Sequence, residues 1–209
     1  MNFKKSVIPA VVILLISVFP IVSAATDSAG TVLITGANRG IGLALATKFG
    51  QSGYTVIGTA RNPEQATDLK ATGARIEKLD VASQDSVDAL ANRLGDIPVD
   101  ILINNAGISG HDADDLADLD VNQLARTLDV NTLGPLRVIQ ALYETVGLSS
   151  TGVVVNISSM MGSMEMNTWG CCLGYRASKS ALNSFTKTLA EDYGGKGVIF
   201  VTMHPGYVQ

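Results

Sequence analysis

Tyr175 and Lys179 stand four residues apart in the run Tyr175-Arg176-Ala177-Ser178-Lys179, and a serine pair, Ser158-Ser159, precedes them. Residues four apart on a helix share a face, so an ammonium stands beside a phenol and stabilises its ionised form. That makes a tyrosine able to exchange a proton near neutral pH. A carbonyl that receives a hydride builds negative charge on oxygen and needs both a hydrogen-bond donor and a proton. One serine with such a tyrosine supplies both. Spacing alone does not separate Ser158 from Ser159, and a Tyr–Lys pair on its own is more ordinarily a surface pair.

The company of this pair gives it meaning. Upstream runs the turn Thr35-Gly36-Ala37-Asn38-Arg39-Gly40-Ile41-Gly42, which follows an apolar strand and opens a helical pattern. A pyrophosphate rests at such a place on free backbone amides, at the positive end of the helix dipole. Gly36 permits the tight turn, Gly40 the approach of the phosphates and Gly42 the packing of helix on sheet. The spacing is Gly-x3-Gly-x-Gly rather than the commoner Gly-x-Gly-x2-Gly. At the end of the second strand, where an acid would bond a ribose hydroxyl, the chain has Thr59-Ala60-Arg61. Arg61 with Arg39, two guanidinium groups able to grip a phosphate, points to the phosphorylated cofactor, NADPH.

The elements that must hold these residues alternate along the chain. Val32 to Ile34, Thr55 to Ile57, Ile101 to Ile103, Val153 to Ile157 and Val198 to Val201 read as strands buried on both faces, with Ala74 to Leu79 a weaker sixth. Amphipathic stretches lie near 41–50, 63–71, 84–94, 121–146 and 176–192. Strand and helix in alternation predict an α/β, doubly wound parallel sheet, Rossmann-like, with helices on both faces. Asn131 sits inside the long pattern 121–146, an awkward place for an amide that only packs, and Gly134-Pro135 predicts a local irregularity there.

At 209 residues, with 46% apolar and 16% charged content, the chain suits one domain over 30–209 and excludes disorder. A formal charge of −4, and −6 without Lys4 and Lys5, is no nucleic-acid footprint. The acidic stretch Asp112 to Asp120 lacks a His or Cys partner in a ligand spacing, so it reads as a solvated loop or helix start and no metal is expected. His111 reads as a surface residue and His204 as a strand-end residue. Cys171 and Cys172 are adjacent, so a bridge between them would need a strained ring and would staple no distant elements; two small buried or half-buried thiols are expected.

Residues 1–25 read as a signal peptide or a membrane anchor. Lys4 and Lys5 precede an apolar run from Val7 to Val22, and Ser23-Ala24-Ala25 follows with small residues. The run is shorter than the about 20 residues a span needs, which favours cleavage. Either reading places the domain across the cytoplasmic membrane, exported or anchored. A start-site artefact would leave it cytoplasmic, but the next methionine after Met1 is Met160.

Taken in order, Thr35-Gly36-x3-Gly40-Ile41-Gly42, Asn104-Asn105-Ala106-Gly107, Asn131, Ser159, Tyr175-x3-Lys179 and Pro205-Gly206 resemble the short-chain dehydrogenase/reductase family in its compact single-domain form. The stretch 158–179 also resembles the carbonyl reductases of the sniffer type and the C-factor branch. The resemblance implies a catalytic set of Asn131, Ser159, Tyr175 and Lys179, with Asn131 holding a relay water and the second serine of Asn-Ile-Ser-Ser in the donor role. It implies a nucleotide held by the turn, Asn38 and Ile41 included, by Asp80 against the adenine and by Asn104, Ala106 and Gly107 beside the ribose. Tyr175, Lys179, Pro205, Gly206 and Val208 would complete the cofactor site. Asp80 also has a plain reading as a cap ahead of the helix near Ser83. A dimer or tetramer through the two long helices is implied too.

Two departures from the family pattern stand out. The gap from Ser159 to Tyr175 is longer than usual and holds Met160, Met161, Met164, Met166, Trp169 and the cysteines. These shape a pocket for an apolar carbonyl or serve as loop packing; the sequence supports both. The chain also stops at Gln209, where similar proteins continue with a nicotinamide contact, a further strand and a substrate lid. The expectation is a sheet lacking its usual C-terminal strand, with an exposed edge and an open site, in a fragment or a protein of impaired activity. The resulting reading is an NADPH-dependent oxidoreductase acting between a small-molecule carbonyl and an alcohol. Its rivals are a catalytically weak nucleotide-binding or signalling protein on the same fold, and an exported structural domain without cofactor.

Overall fold

The computed structural model describes residues 28–110, 116–150 and 152–206. The predicted export or anchor segment lies outside them, as do His111, Asp112, Asp114, Asp115 and Val208. Among the described residues no helix is long and apolar enough to cross a membrane.

Six strands form one sheet: β1 (Thr31–Ile34), β2 (Thr55–Ala60), β3 (Arg75–Lys78), β4 (Ile101–Asn104), β5 (Gly152–Ile157) and β6 (Val198–Met203). Their order is β3-β2-β1-β4-β5-β6, and every pairing is parallel. Between them run α1 (Gly40–Gln51), α2 (Thr67–Ala71), α3 (Gln84–Leu94), α4 (Val121–Leu128), α5 (Gly134–Gly147) and α6 (Leu173–Tyr193). The period-two alternation of the strands sorts the core into two layers. Val32 and Ile34 join Val56, Ile103, Val155 and Ile157 under Ala46 of α1 and Leu69 of α2. Leu33 faces the other way with Ile57, Leu102 and Val154, against Leu90 of α3 and Val138, Leu142 and Val146 of α5, with Leu189 of α6 at its margin.

A parallel sheet brings the C-terminal ends of all its strands to one edge, and the order reverses between β1 and β4. A crevice opens at such a switch point. The glycine turn follows β1, Arg61 follows β2, Asp80 lies just beyond β3, Asn105 to Gly107 follow β4, the serine pair follows β5 and Pro205-Gly206 follows β6. Among the described residues, every predicted site segment outside the helices therefore lands on one rim.

The predicted elements differ from the observed ones in three places. The pattern 63–71 divides into a 3₁₀ turn at Pro63–Gln65 and the short α2. The stretch 121–146 is interrupted by a π-helical turn at Asp129–Leu133 between α4 and α5. Pro135 has no N–H to offer the Asn131 carbonyl, so the ordinary ladder loses a rung there and the chain widens. Helix α6 begins at Leu173, ahead of Tyr175. The edge strand β6 pairs with β5 alone among the described residues, and Ile199 and Met203 are half exposed along it.

Candidate active site

The glycine turn is sewn into the sheet rather than merely following it. Thr35 Oγ1 accepts the N–H groups of Asn105 and Ala106, and the Asn105 side-chain amide donates to the carbonyls of Thr35 and Gly36. On the other side Gly36 N–H donates to Thr59 Oγ1, and Ala37 N–H to the Thr59 carbonyl. Gly36 has φ +64 and its α-carbon faces Ala106, where a Cβ would come within 3.1 Å of the alanine side chain. Gly40 has φ +56 with open space where a side chain would stand. A Cβ at Gly42 would collide with the Gly36 carbonyl oxygen and the Asn105 amide, so Gly42 serves the packing of α1 on the turn and does not line the crevice.

Arg39 occupies the N-cap position of α1 with extended backbone, and neither its side chain nor an acid in the first turn takes up the helix's free amides. Those amides remain available to an anion. Beside them is a cleft of about 340 Å³ lined by Gly36, Asn38, Arg39, Gly40, Ile41, Arg61, Asp80, Ala106 and Gly107, all of them sequence-predicted. Thr59, Asn105, Val130 and Arg126 also line it and were not predicted. Arg126 arrives from α4, some 65 residues beyond Arg61 in the chain, and no spacing rule announces it. Asp80 does not cap α3: Ser83 does, accepting from Ser86 N–H, while Asp80 Oδ1 accepts from Ala82 N–H at the cleft wall.

Asn104 departs from its predicted place beside a ribose. It is buried beneath the rim, and its amide donates to Asn156 Oδ1, whose own amide donates to Thr186 Oγ1. The side chains of β4 alternate between faces, and at Asn104 the alternation points the amide into the helix-covered layer instead of the cleft. Pro205 and Gly206 are exposed beyond β6 and do not line the cleft.

Around the helix α6 hydrogen bonds tie Asn131 to the turn that carries Tyr175 and Lys179. The Lys179 ammonium lies 5.7 Å from the centre of the Tyr175 ring and donates to the Ile157 carbonyl at 2.7 Å, at the end of β5. Burial pushes the Lys179 pKa down to about 8. Ser158 and Ser159, which spacing left equivalent, have different fates. Ser158 is buried and donates its hydroxyl proton to Asn183 Oδ1 at 2.6 Å. Ser159 accepts from Met161 N–H at 3.1 Å, which leaves its own O–H without an assigned acceptor among the described residues.

Asn131, on the π turn, is fully buried. Its amide donates to the Ile108 carbonyl and to Ser178 Oγ, and its Oδ1 accepts from Ile108 N–H. Its neighbour Thr132 donates to the Ser178 carbonyl, and Ser178 in turn donates to the Tyr175 carbonyl. The π turn thus grips α6 between Tyr175 and Lys179 and ties the helix to the loop after β4. Ser178 was not predicted; a small polar residue inside a helix, between the two catalytic candidates, was the available signal.

The cysteines overturn the expectation of two thiols. Cys171 and Cys172 are bonded to each other, and Cys171 is exposed. Each carries positive φ, 64° and 58°, which is how a bond between neighbours fits ahead of α6.

With this geometry in view, likeness to known proteins is informative. The model of a family described as short chain dehydrogenase matches residues 30–209. The C-signal protein of Myxococcus xanthus is 43% identical over 112 residues, covering 54% of this chain and 67% of its own length. The NADPH-bound carbonyl reductase from chicken fatty liver superposes with a TM-score of 0.78 at 30% identity, over 85% of this chain and 76% of that one. The carbonyl reductase Sniffer of D. melanogaster gives 0.76 at 30% identity, over 85% and 81%. The sheet order, the sewn glycine turn and the Tyr175–Lys179 helix agree with the matched extent, and the chain belongs to the short-chain dehydrogenase family, a family of oxidoreductases.

Proposed function

We propose that the protein is an NADPH-dependent reductase of aldehydes or ketones in which Tyr175 is the proton donor. The observation that carries this reading is the shared rim: the cleft with Arg39 and Arg61 lies at the C-terminal edge of the parallel sheet, Lys179 reaches the end of β5 at that same edge, and Asn131 joins Ile108 of the cleft to Ser178 between Tyr175 and Lys179.

The residues present fit the cofactor. The open first-turn amides of α1 and the unfilled space at Gly40 suit a pyrophosphate. Arg39 and Arg61 suit the additional phosphate, and no carboxylate stands at the end of β2 to repel it. NADPH-bound carbonyl reductase is among the similar folds, which agrees with this choice. When bound, NADPH supplies the hydride.

The chain's own groups manage the substrate oxygen. Ser159, whose proton is not committed elsewhere, donates a hydrogen bond to the oxygen as it gains charge. Tyr175 transfers its phenolic proton to that oxygen. The Lys179 ammonium, held beside the ring by the Ile157 carbonyl, stabilises the phenolate left behind. Asn131 and Thr132 position this pair by fixing Ser178. The direction in the cell follows the reduced cofactor, so reduction is the favoured sense.

Fluorescence titration with NADPH and NADH, followed by turnover of a panel of aldehydes, ketones and quinones by wild type and Tyr175→Phe, tests the proposal. Tighter binding of NADPH with Tyr175-dependent turnover is expected. Binding without Tyr175-dependent turnover would leave only a nucleotide-binding protein.

A further inference from the structure

The segment between Ser163 and α6 contains a feature the reductase reading does not use. Gly170, Cys171 and Cys172 have φ values of 70°, 64° and 58°, three successive residues in the left-handed region. Glycine adopts it freely, whereas at the cysteines the Cβ crowds the following carbonyl. Several contacts hold the turn. Arg176 Nε donates to the carbonyls of Gly170 and Cys171, both at 3.0 Å, and Arg176 N–H donates to the Cys172 carbonyl at 2.8 Å. The Trp169 ring covers the guanidinium at 4.6 Å. The two remaining guanidinium nitrogens are buried with no hydrogen-bond partner. One buried, under-bonded arginine and one covalent bond between neighbours therefore maintain a backbone shape that the residue types disfavour.

We propose that Cys171–Cys172 is a redox site: dithiols open its bond, and the bond's state switches the Trp169–Arg176 turn between two arrangements at the start of α6. In the bonded form the link between the adjacent Cβ atoms denies the cysteines their extended alternatives, and the left-handed turn persists. Opening removes that constraint. The cysteines relax towards negative φ, the carbonyls of Gly170 and Cys171 leave Arg176 Nε, and Trp169 is carried off the guanidinium.

The exchange balances without any group beyond a dithiol. One thiolate of the dithiol attacks Sγ of the exposed Cys171, and Cys172 leaves as a thiolate that takes up a proton. The dithiol's second thiolate then closes on its first sulfur and expels the Cys171 thiolate, which is protonated. Two protein thiols form, and the two electrons come from the dithiol, which ends as its own disulfide. A small-molecule disulfide drives the reverse.

The chain contains one tryptophan, Trp169, half exposed at 53%, so its fluorescence reports this turn alone. The test uses the full chain, purified without reductant, before and after dithiothreitol. Alkylation in denaturant with intact mass should add no label before reduction and two labels after. Acrylamide quenching of Trp169 should rise by about twofold on reduction as the ring leaves the guanidinium. The double variant Cys171→Ser/Cys172→Ser should match the reduced protein and ignore dithiothreitol; if it does not fold, the comparison on the wild-type chain stands by itself. Two labels before reduction, or identical quenching in both states, overturns the proposal. Neither readout requires turnover, so a failed reductase assignment leaves this result unaffected and the converse also holds.

Discussion

Two turns beside the proposed chemistry take left-handed backbone, and they are held by opposite means. After β1, Gly36 and Gly40 reach φ +64 and +56 without steric cost, and bonds from Thr35, Thr59 and Asn105 fasten the turn into the sheet. Before α6, Cys171 and Cys172 reach 64° and 58° despite their side chains, with Cys171 exposed and with Met164, Met166 and Trp169 earlier in the same segment also exposed to solvent. The first turn is specified by residue type and by bonds into the sheet. The second depends on one covalent link and one arginine, so it is the part of the rim whose shape can change. The two turns therefore differ in what would have to be removed to change their shape.

The sharpest way to break this division is at Tyr175. Tyr175→Phe should lower carbonyl reduction by about 10²–10⁴-fold with NADPH affinity nearly unchanged by fluorescence titration. Equal losses in both would erase the contrast between the two regions. Next in size, Ser159→Ala should slow turnover by about 100-fold, whereas Ser158→Ala should leave turnover intact and cost about 1 kcal/mol in a denaturant melt. A reversed result would move the donor to the serine that bonds Asn183.

At the cradle, Arg39→Ala/Arg61→Ala should reduce the preference for NADPH over NADH by about 10- to 100-fold, read from the two dissociation constants. An unchanged ratio would hand the phosphate to another group, with Arg126 the available cation in the cleft.

The smallest effect concerns Lys179. Its folded pKa of about 8 lies below the ordinary 10.5 because burial disfavours the charged form. Between those values the unfolded chain holds the extra proton, so this group's contribution to stability rises as pH climbs from about 8 to 10.5. The Tm of the cofactor-free wild type, measured against Lys179→Met, should gain across that window. A flat difference would mean that the ammonium is hydrated in the folded protein.

Much of this was legible in the chain. The six strands and the order of the site segments followed from apolar runs separated by helical patterns, because strand and helix periods are local properties. The glycine turn was readable position by position, since positive φ and close packing restrict residue type directly. The parts that were not legible concern partners chosen across the fold. The family resemblance implies a place beside the ribose for Asn104, yet its side chain faces the helix-covered layer and bonds Asn156. The cysteines were expected as thiols, yet they are bonded in a turn whose backbone no local propensity favours.

The sequence by itself determined the element types, the parallel sheet and the presence of a Tyr–Lys pair on one helix, because each depends on residues within a few positions of one another. Only the tertiary structure decided that Ser158 is committed and Ser159 is not, that Asn131 grips α6 through Ser178, and that Arg126 joins Arg39 and Arg61 at one cleft. Those outcomes depend on which polar groups become neighbours once two apolar layers close on the sheet, and a buried donor takes the acceptor that packing places within reach.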